Sequence, residues 1–274
     1  MSEIRPAAVA GTWYSGKADD LAAEVDGYLA AAAGAAAVPN PVALIAPHAG
    51  LMYSGPVAAY AYRQLLDRSV DTLVLVGPSH FVAFDGVALY ARGGFAMPLG
   101  VAEIDESFAH DLLTHTTIVH EDRGPHRREH SLEMQLPFVS RLAPRARIVP
   151  LLIGRQTEET ARALGDVLGR LAFNRNVVLV ASTDLSHYEN ATRARQLDAV
   201  VLDHVSRFDP EGLQSALDQN PHHACGGGPA VAVMRAARAL GATRSVVLHY
   251  ADSGDISGDK SSVVGYMAAA FGRS

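Results

Sequence analysis

Apolar positions along the chain follow two rhythms. Lys17–Ala33 carries Leu21, Val25, Tyr28 and Leu29 at helical spacing, with Asp19, Asp20, Glu24 and Asp26 between them, which predicts an amphipathic helix. From Val42 onward, short continuous apolar runs alternate with amphipathic stretches, the pattern of strands buried beneath helices. The runs predict strands at Val42–Ala46, Thr72–Val76, Gly86–Tyr90, Ile148–Ile153, Val177–Ala181, Ser245–His249 and Ser262–Met267. The stretches between them predict helices at Gly55–Leu66, Asp105–His115, Ser131–Leu142, Glu158–Leu171, Ala191–Arg207, Pro210–Leu217 and Pro229–Leu240. Ser131 reads as a serine cap, and Asp209-Pro210 as a helix start with proline in its first turn. The expected fold class is therefore α/β, a central mixed sheet covered by helices. Gly34–Pro41 is too short a linker to part domains, so residues 1–274 are read as a single domain.

Composition narrows the function classes. Hydrophobic residues make up 49% and charged residues 19% of the 274, enough for a sizeable core and unlike a disordered chain. A net charge of −6 lacks the basic excess of a nucleic-acid binder. Apolar runs such as Leu73–Val76 and Val177–Ala181 fall far short of the ~20 residues that cross a bilayer. Met1–Ala10 has no basic start followed by an apolar run, so the expected location is the cytoplasm. The one cysteine, Cys225, excludes an internal disulfide and any multi-cysteine metal cluster.

Candidate chemistry gathers after the strands, where open α/β sheets bind ligands. Val42–Ala46 runs into Pro47-His48-Ala49-Gly50, Thr72–Val76 into Gly77-Pro78-Ser79-His80, and Val177–Ala181 into Ser182-Thr183-Asp184-Leu185-Ser186-His187-Tyr188. Three histidine-bearing strand ends, each with turn-forming neighbours, predict a convergent pocket. A fourth piece, His222-His223-Ala224-Cys225-Gly226-Gly227-Gly228-Pro229, leads into a helix. Its glycines permit close backbone approach, and the helix start favours a thiolate at Cys225; the competing reading is a small buried thiol. Two imidazoles and a thiolate form a three-ligand metal set with an open position. Asp184 competes with Cys225 as third ligand, which would give the facial arrangement of non-haem Fe(II) oxygenases. His187 is then free for general acid and base work, or is simply a hydrogen-bonded wall residue.

The remaining signals are weaker. His110, His115, His120 and His126 read as solvated surface, and Glu121–His130 as an exposed charged loop. Glu129 or His130 could orient a ligand from behind, or belong to a capping cluster. Trp13 and Tyr14 read more readily as anchors of the N-terminal arm than as pocket walls.

Assembled in this order, the residues resemble the Memo family, known in prokaryotes as AmmeMemoRadiSam system protein B. The carriers span nearly the whole chain: Ala10-Gly11-Thr12-Trp13-Tyr14, Pro47-His48-Ala49-Gly50 with Tyr53-Ser54-Gly55, Gly77-Pro78-Ser79-His80, Glu129-His130-Ser131-Leu132-Glu133, Ser182-Thr183-Asp184-Leu185-Ser186-His187, Cys225-Gly226, and Ser253-Gly254-Asp255 with Val264-Gly265-Tyr266. The resemblance implies a fold like that of class III extradiol ring-cleaving dioxygenases. It places the family's metal ligands on His48, His80 and Cys225 and its other pocket residues on Asp184 and His187. The departure from the dioxygenases is Cys225, standing where they have a carboxylate. A thiolate changes both charge donation and redox behaviour.

The leading expectation is a metal-dependent redox protein or oxygenase-like enzyme holding iron(II) or copper, with zinc as a further candidate, on a small aromatic or peptide ligand. A second is a hydrolase or transferase in which Cys225 attacks, His187 deprotonates it and Asp184 orients the histidine. A third is a non-catalytic module binding a peptide or protein in the same cleft. The prokaryotic family name also implies an AMMECR-type protein and a radical S-adenosylmethionine protein as partners.

Overall fold

A computed structural model describes residues Ile4–Arg273. In chain order the strands are β1 (Ile4–Arg5), β2 (Pro41–Ala46), β3 (Thr72–Pro78), β4 (Val87–Leu89), β5 (Gly94–Met97), β6 (Gly100–Glu103), β7 (Val119–Glu121), β8 (Arg147–Ile153), β9 (Val177–Ser182), β10 (His187–Glu189), β11 (Arg244–Asp252) and β12 (Val263–Gly272). The helices are α1 (Ala18–Ala31), α2 (Leu51–Tyr62), α3 (Glu106–His115), α4 (Leu136–Leu142), α5 (Glu158–Ala172), α6 (Ala191–Ser206), α7 (Pro210–Gln219), α8 (Gly227–Ala239) and the short α9 (Gly254–Ser257).

A nine-stranded sheet forms the centre, in the order β10-β12-β2-β9-β3-β8-β4-β7 with β11 on β12. The four middle strands, β2, β9, β3 and β8, run parallel, and β12 and β4 lie antiparallel on either side of them. This is the mixed α/β sheet that the apolar runs predict. The middle strands are buried on both faces, which explains why they read as continuous apolar runs rather than as alternation. Helices α5 and α8 pack together against one face, while α1, α2 and α4 pack on the other.

Because β2, β9 and β3 are parallel neighbours, their carboxyl ends emerge at one edge. That edge carries the histidine loops. Adjacent strands lie ~4.8 Å apart, so the chains leaving β2 and β3 are one strand's width either side of the chain leaving β9, within reach of converging side chains. The site is a consequence of strand order.

Several expectations are corrected. Helix α2 starts at Leu51 rather than Gly55: the reading that put Pro56 in a first turn ignored the N-terminal arm, where Trp13 O accepts from Leu51 N at 2.8 Å and satisfies the true helix start. Ser131 caps no helix; its hydroxyl donates to Pro78 O at 2.9 Å and the α4 segment begins as a 3₁₀ turn at Glu133. Strand β12 continues through Ala268, Ala269 and Ala270, where burial outweighs alanine's weak strand preference. A small sheet, β1-β5-β6, has no counterpart in the sequence reading, because its strands of 2, 4 and 4 residues are too short to show a clear period. It sets Arg5 under the site: the buried guanidinium donates to Glu133 Oε2 at 2.6 Å and to the carbonyls of His126 and Glu129, while Tyr14 OH donates to Glu133 Oε1 at 2.7 Å. His126, read as solvated, is 1% exposed with Nε2 3.1 Å from Ala88 O, and burial holds its pKa down at about 3. The charged loop is therefore anchored at two buried pairs, Pro125-His126 and Glu129-His130, rather than free.

Candidate metal centre

The loops after β2 and β3, and the segment leading into α8, place ligand atoms of His48, His80 and Cys225 within 4.8 Å of one another. Cys225 reaches the group because Gly226 lets the backbone press against β9. A Cβ at that position would stand 2.3 Å from Ser182 O, so no other residue fits there. The Cys225 amide donates to Asp184 O at 3.2 Å, and its Sγ lies 3.3 Å from His48 Nε2.

Counting protons fixes how each histidine faces the centre. Ser182 Oγ lies 2.6 Å from Ser131 O, 2.8 Å from Gln135 Nε2 and 2.8 Å from His48 Nδ1. A carbonyl only accepts, so the one hydroxyl hydrogen goes to Ser131 and Ser182 accepts from the other two. His48 Nδ1 therefore carries the ring proton, and Nε2 presents a lone pair towards Cys225. Gln135 is itself oriented by Tyr62 OH, which donates to Oε1 at 2.9 Å, and by Pro47 O, which accepts from Nε2 at 3.0 Å. Burial, reinforced by the neighbouring His80, His130 and His187, holds His48 well below the usual imidazole pKa and keeps it neutral.

His80 is fixed by a charge instead. Its Nδ1 lies 2.9 Å from Glu129 Oε1, and its amide donates to Oε2 at 2.6 Å. Burial alone would raise the Glu129 pKa, but hydrogen bonds and charge from His80 reverse this and hold it at about 2. A carboxylate only accepts, so His80 Nδ1 carries the proton and Nε2 is again the open ligand atom.

A second group, His80, Glu129 and His130, also falls within 4.8 Å. Its hydrogen bonds give it a different role. Glu129 Oε1 already takes the His80 ring and the amides of His130 and Ser131, each at 2.9 Å, and Oε2 takes the His80 amide, so both oxygens are engaged in holding this loop. This group orients His80. His130 stacks on His80 with ring centres 4.6 Å apart, and Trp13, 38% exposed, lies 4.3 Å from His130. Of the aromatic pair, Tyr14 is thus an anchor, while Trp13 packs on His130 behind His80.

Asp184 is not among the ligand atoms grouped above. Its Oδ1 accepts from His48 N at 2.7 Å and its amide donates to Cys225 Sγ at 3.3 Å, so it clasps two ligand-bearing loops together; burial pushes its pKa up to about 7. His187 donates Nδ1–H to Leu185 O at 2.8 Å, which leaves Nε2 as an acceptor, and burial lowers its pKa. Its loop is held by Asp198, whose Oδ1 accepts from Ser186 N at 2.9 Å and whose Oδ2 accepts from Tyr250 OH at 2.8 Å. The Cys225–His187–Asp184 relay is not built: Asp184 bonds the His48 backbone, and the His187 ring is oriented by a carbonyl. Burial and then the Asp184 carboxyl push the Cys225 thiol up, against the thiolate expected from the helix start.

His80, His187 and Cys225 border a cavity of about 420 Å³, whose other walls are Ser186, Glu189, Leu197, Pro221, His222 and Ala224. The structure brings together His48, His80 and Cys225, the three residues expected as ligands, and sets Asp184 and His187 beside them. Sequence reasoning weighed Glu129 without deciding its role and passed over Gln135 and the Ser182 side chain; a polar residue closing a buried apolar strand was the available signal for Ser182.

Comparison with known proteins identifies the family. The Memo-like protein family profile matches residues 5–270. A MEMO1 family protein of Sulfurisphaera tokodaii is 35% identical over 98% of this chain and 99% of its own length. One of Ignicoccus hospitalis is 37% identical over 98% of both. Among solved structures, an uncharacterized protein of Escherichia coli K12 shares the fold with a TM-score of 0.51 at 15% identity, covering 82% of this chain and 98% of that one. With full-length relatives and a profile spanning the sheet, the ligand loops and the Cys225 segment, the chain belongs to the Memo family.

Proposed function

We propose that His48, His80 and Cys225 bind one transition-metal ion, iron(II) or copper, and that the chain is a metal-dependent oxidoreductase acting on a substrate held in the cavity beside His187. The observation that carries this is that two imidazoles, each hydrogen-bonded through Nδ1 to an unrelated partner, lie with a single sulfur so that ligand atoms of all three fall within 4.8 Å of one another. Metal bonds of about 2.0 Å to nitrogen and 2.3 Å to sulfur at a tetrahedral angle would set their ends about 3.5 Å apart. The 3.3 Å between His48 Nε2 and Cys225 Sγ fits that spacing. A mixed imidazole and thiolate set suits iron, copper or zinc rather than magnesium or calcium. When bound, the ion would supply Lewis acidity and redox capacity.

The chain's own groups do the rest. Cys225 must lose its proton on metal binding, and the Asp184 amide at 3.3 Å is placed to donate to the resulting thiolate. Neutral His187 accepts a proton at Nε2 from a ligand in the cavity and returns it. Elemental analysis of protein purified without oxygen, wild type beside His80→Ala and Cys225→Ser, tests the reading. Near-stoichiometric iron or copper that is lost in both variants supports it, and oxygen uptake then guides the substrate search. A wild-type protein that carries no metal and refuses added metal contradicts it.

A further inference from the structure

The segment that carries Cys225 has a second cavity behind it. Pro221, Ala224 and Cys225 border the larger cavity, and the same three residues border a smaller one of about 160 Å³. The other walls differ. His187 and Leu197 line only the larger cavity, whereas Gln214 and Leu217 of α7 and Gly227 and Gly228 of α8 line only the smaller, so the segment stands between the two.

The side-chain amides of the smaller cavity are paired, with one exception. Gln156 uses both ends, Nε2 donating to Cys225 O at 2.7 Å and Oε1 accepting from Gly228 N at 2.8 Å. Gln214 is 5% exposed and donates from Nε2 to Asp218 Oδ1 at 2.8 Å, but its buried Oε1 has no hydrogen-bond partner. A carboxylate only accepts, so the amide cannot be turned over, and Oε1 is the end left for the cavity. A buried carbonyl without a donor is costly, and folded chains rarely keep one unless something outside the chain supplies the donor. At ~30 Å³ for each non-hydrogen atom, the 160 Å³ holds a molecule of about four to six such atoms.

We infer that this cavity binds a small neutral molecule bearing an N–H donor, of the primary amide class, which donates to Gln214 Oε1. The site is separate from the substrate cavity and shares with it only the segment that carries Cys225, so its occupant touches that segment without entering the substrate's place. No part of this requires a bound metal.

Acetamide and acetone, alike in size and shape and different in the N–H donor, test it by nuclear magnetic resonance titration of the isotope-labelled full chain. Acetamide should give saturable shifts at the amides of Cys225, Gly227 and Gly228 and at the Gln214 side chain, and should bind about three- to tenfold more tightly than acetone, the scale of one neutral hydrogen bond. Gln214→Met keeps the length of the side chain, removes the carbonyl, and should bring the two affinities together with metal content unchanged. Equal affinities in wild type, shifts confined to residues of the larger cavity, a preference that survives Gln214→Met, or no saturable shift, as for a cavity that holds water only, would overturn the inference. The comparison in wild type decides the matter even if the variant fails to fold. Metal content measured on the same sample separates the two claims: a loaded protein without acetamide preference sinks this inference alone, whereas an unloadable one that prefers acetamide sinks the oxidoreductase reading alone.

Discussion

The two histidines of the candidate centre are both held through Nδ1, by opposite means. His48 sits 1% exposed in a neutral network that runs through Ser182 and Gln135 to Tyr62. His80 has a partly exposed side chain and leans on the Glu129 carboxylate. A neutral hydroxyl fixes geometry without adding charge, whereas a carboxylate also raises the basicity of its imidazole and so strengthens metal binding. The His48 side should therefore govern how well the centre is built, and the His80 side how tightly it holds an ion.

The largest expected effect is on stability in acid, and it belongs to the buried neutral imidazoles. His126, beneath the site, has a folded pKa of about 3 against 6.5 when free, so the unfolded chain binds its proton first. Stability of chelator-treated protein should fall as pH drops from 6.5 towards 3, by about 3 to 5 kcal/mol from this group. Asp184 runs the other way: with a folded pKa of about 7, its contribution is present at low pH and lost as pH rises through 7. Glu129, held at about 2, contributes above 4.5 and loses this between 4.5 and 2. Denaturant unfolding across this range should show wild type losing stability from pH 6.5 downward and His126→Gln losing less. Because Asp184 opposes the imidazoles over the same range, the readout is the difference between wild type and His126→Gln; a difference that does not change between pH 6.5 and 4.5 would mean that His126 is not buried neutral.

Next in size is Glu129→Gln, which keeps a hydrogen-bonding oxygen but removes the charge behind His80. Metal affinity should fall about 10- to 100-fold by competition with a chelator. Ser182→Ala acts on the other side: it frees the His48 ring and strands the Gln135 amide, costing about 1 to 3 kcal/mol of stability with a loss of metal affinity nearer tenfold. If the two variants lost affinity equally with no difference in stability, the contrast between the sides would fail. The smallest change is Tyr62→Phe, which leaves Gln135 Oε1 without its donor and should cost about 1 kcal/mol in unfolding while metal content stays the same.

These dependences show what a sequence can and cannot reveal. Candidate ligands are legible when a residue type with few structural reasons to be there follows a buried strand, as His48 and His80 do. Cys225 was legible because glycines flanked it. The groups that set tautomers were not, because each acts across the fold: Glu129 is 49 positions from His80, and Ser182 is 134 from His48. Nothing local distinguishes Gln135 from a helix-surface glutamine, yet it is fully buried. His126 was misread for the same reason, since its burial depends on Arg5 and the small sheet rather than on its charged neighbours. Strand order, which brings three loops to one edge, was implied by the α/β pattern but not specified by it.

The most direct test of the central claim is X-ray absorption at the metal edge of the loaded protein. The structure predicts one sulfur at about 2.3 Å with two imidazole nitrogens, and loss of the sulfur shell in Cys225→Ser. A first shell of nitrogen and oxygen alone in wild type would contradict it.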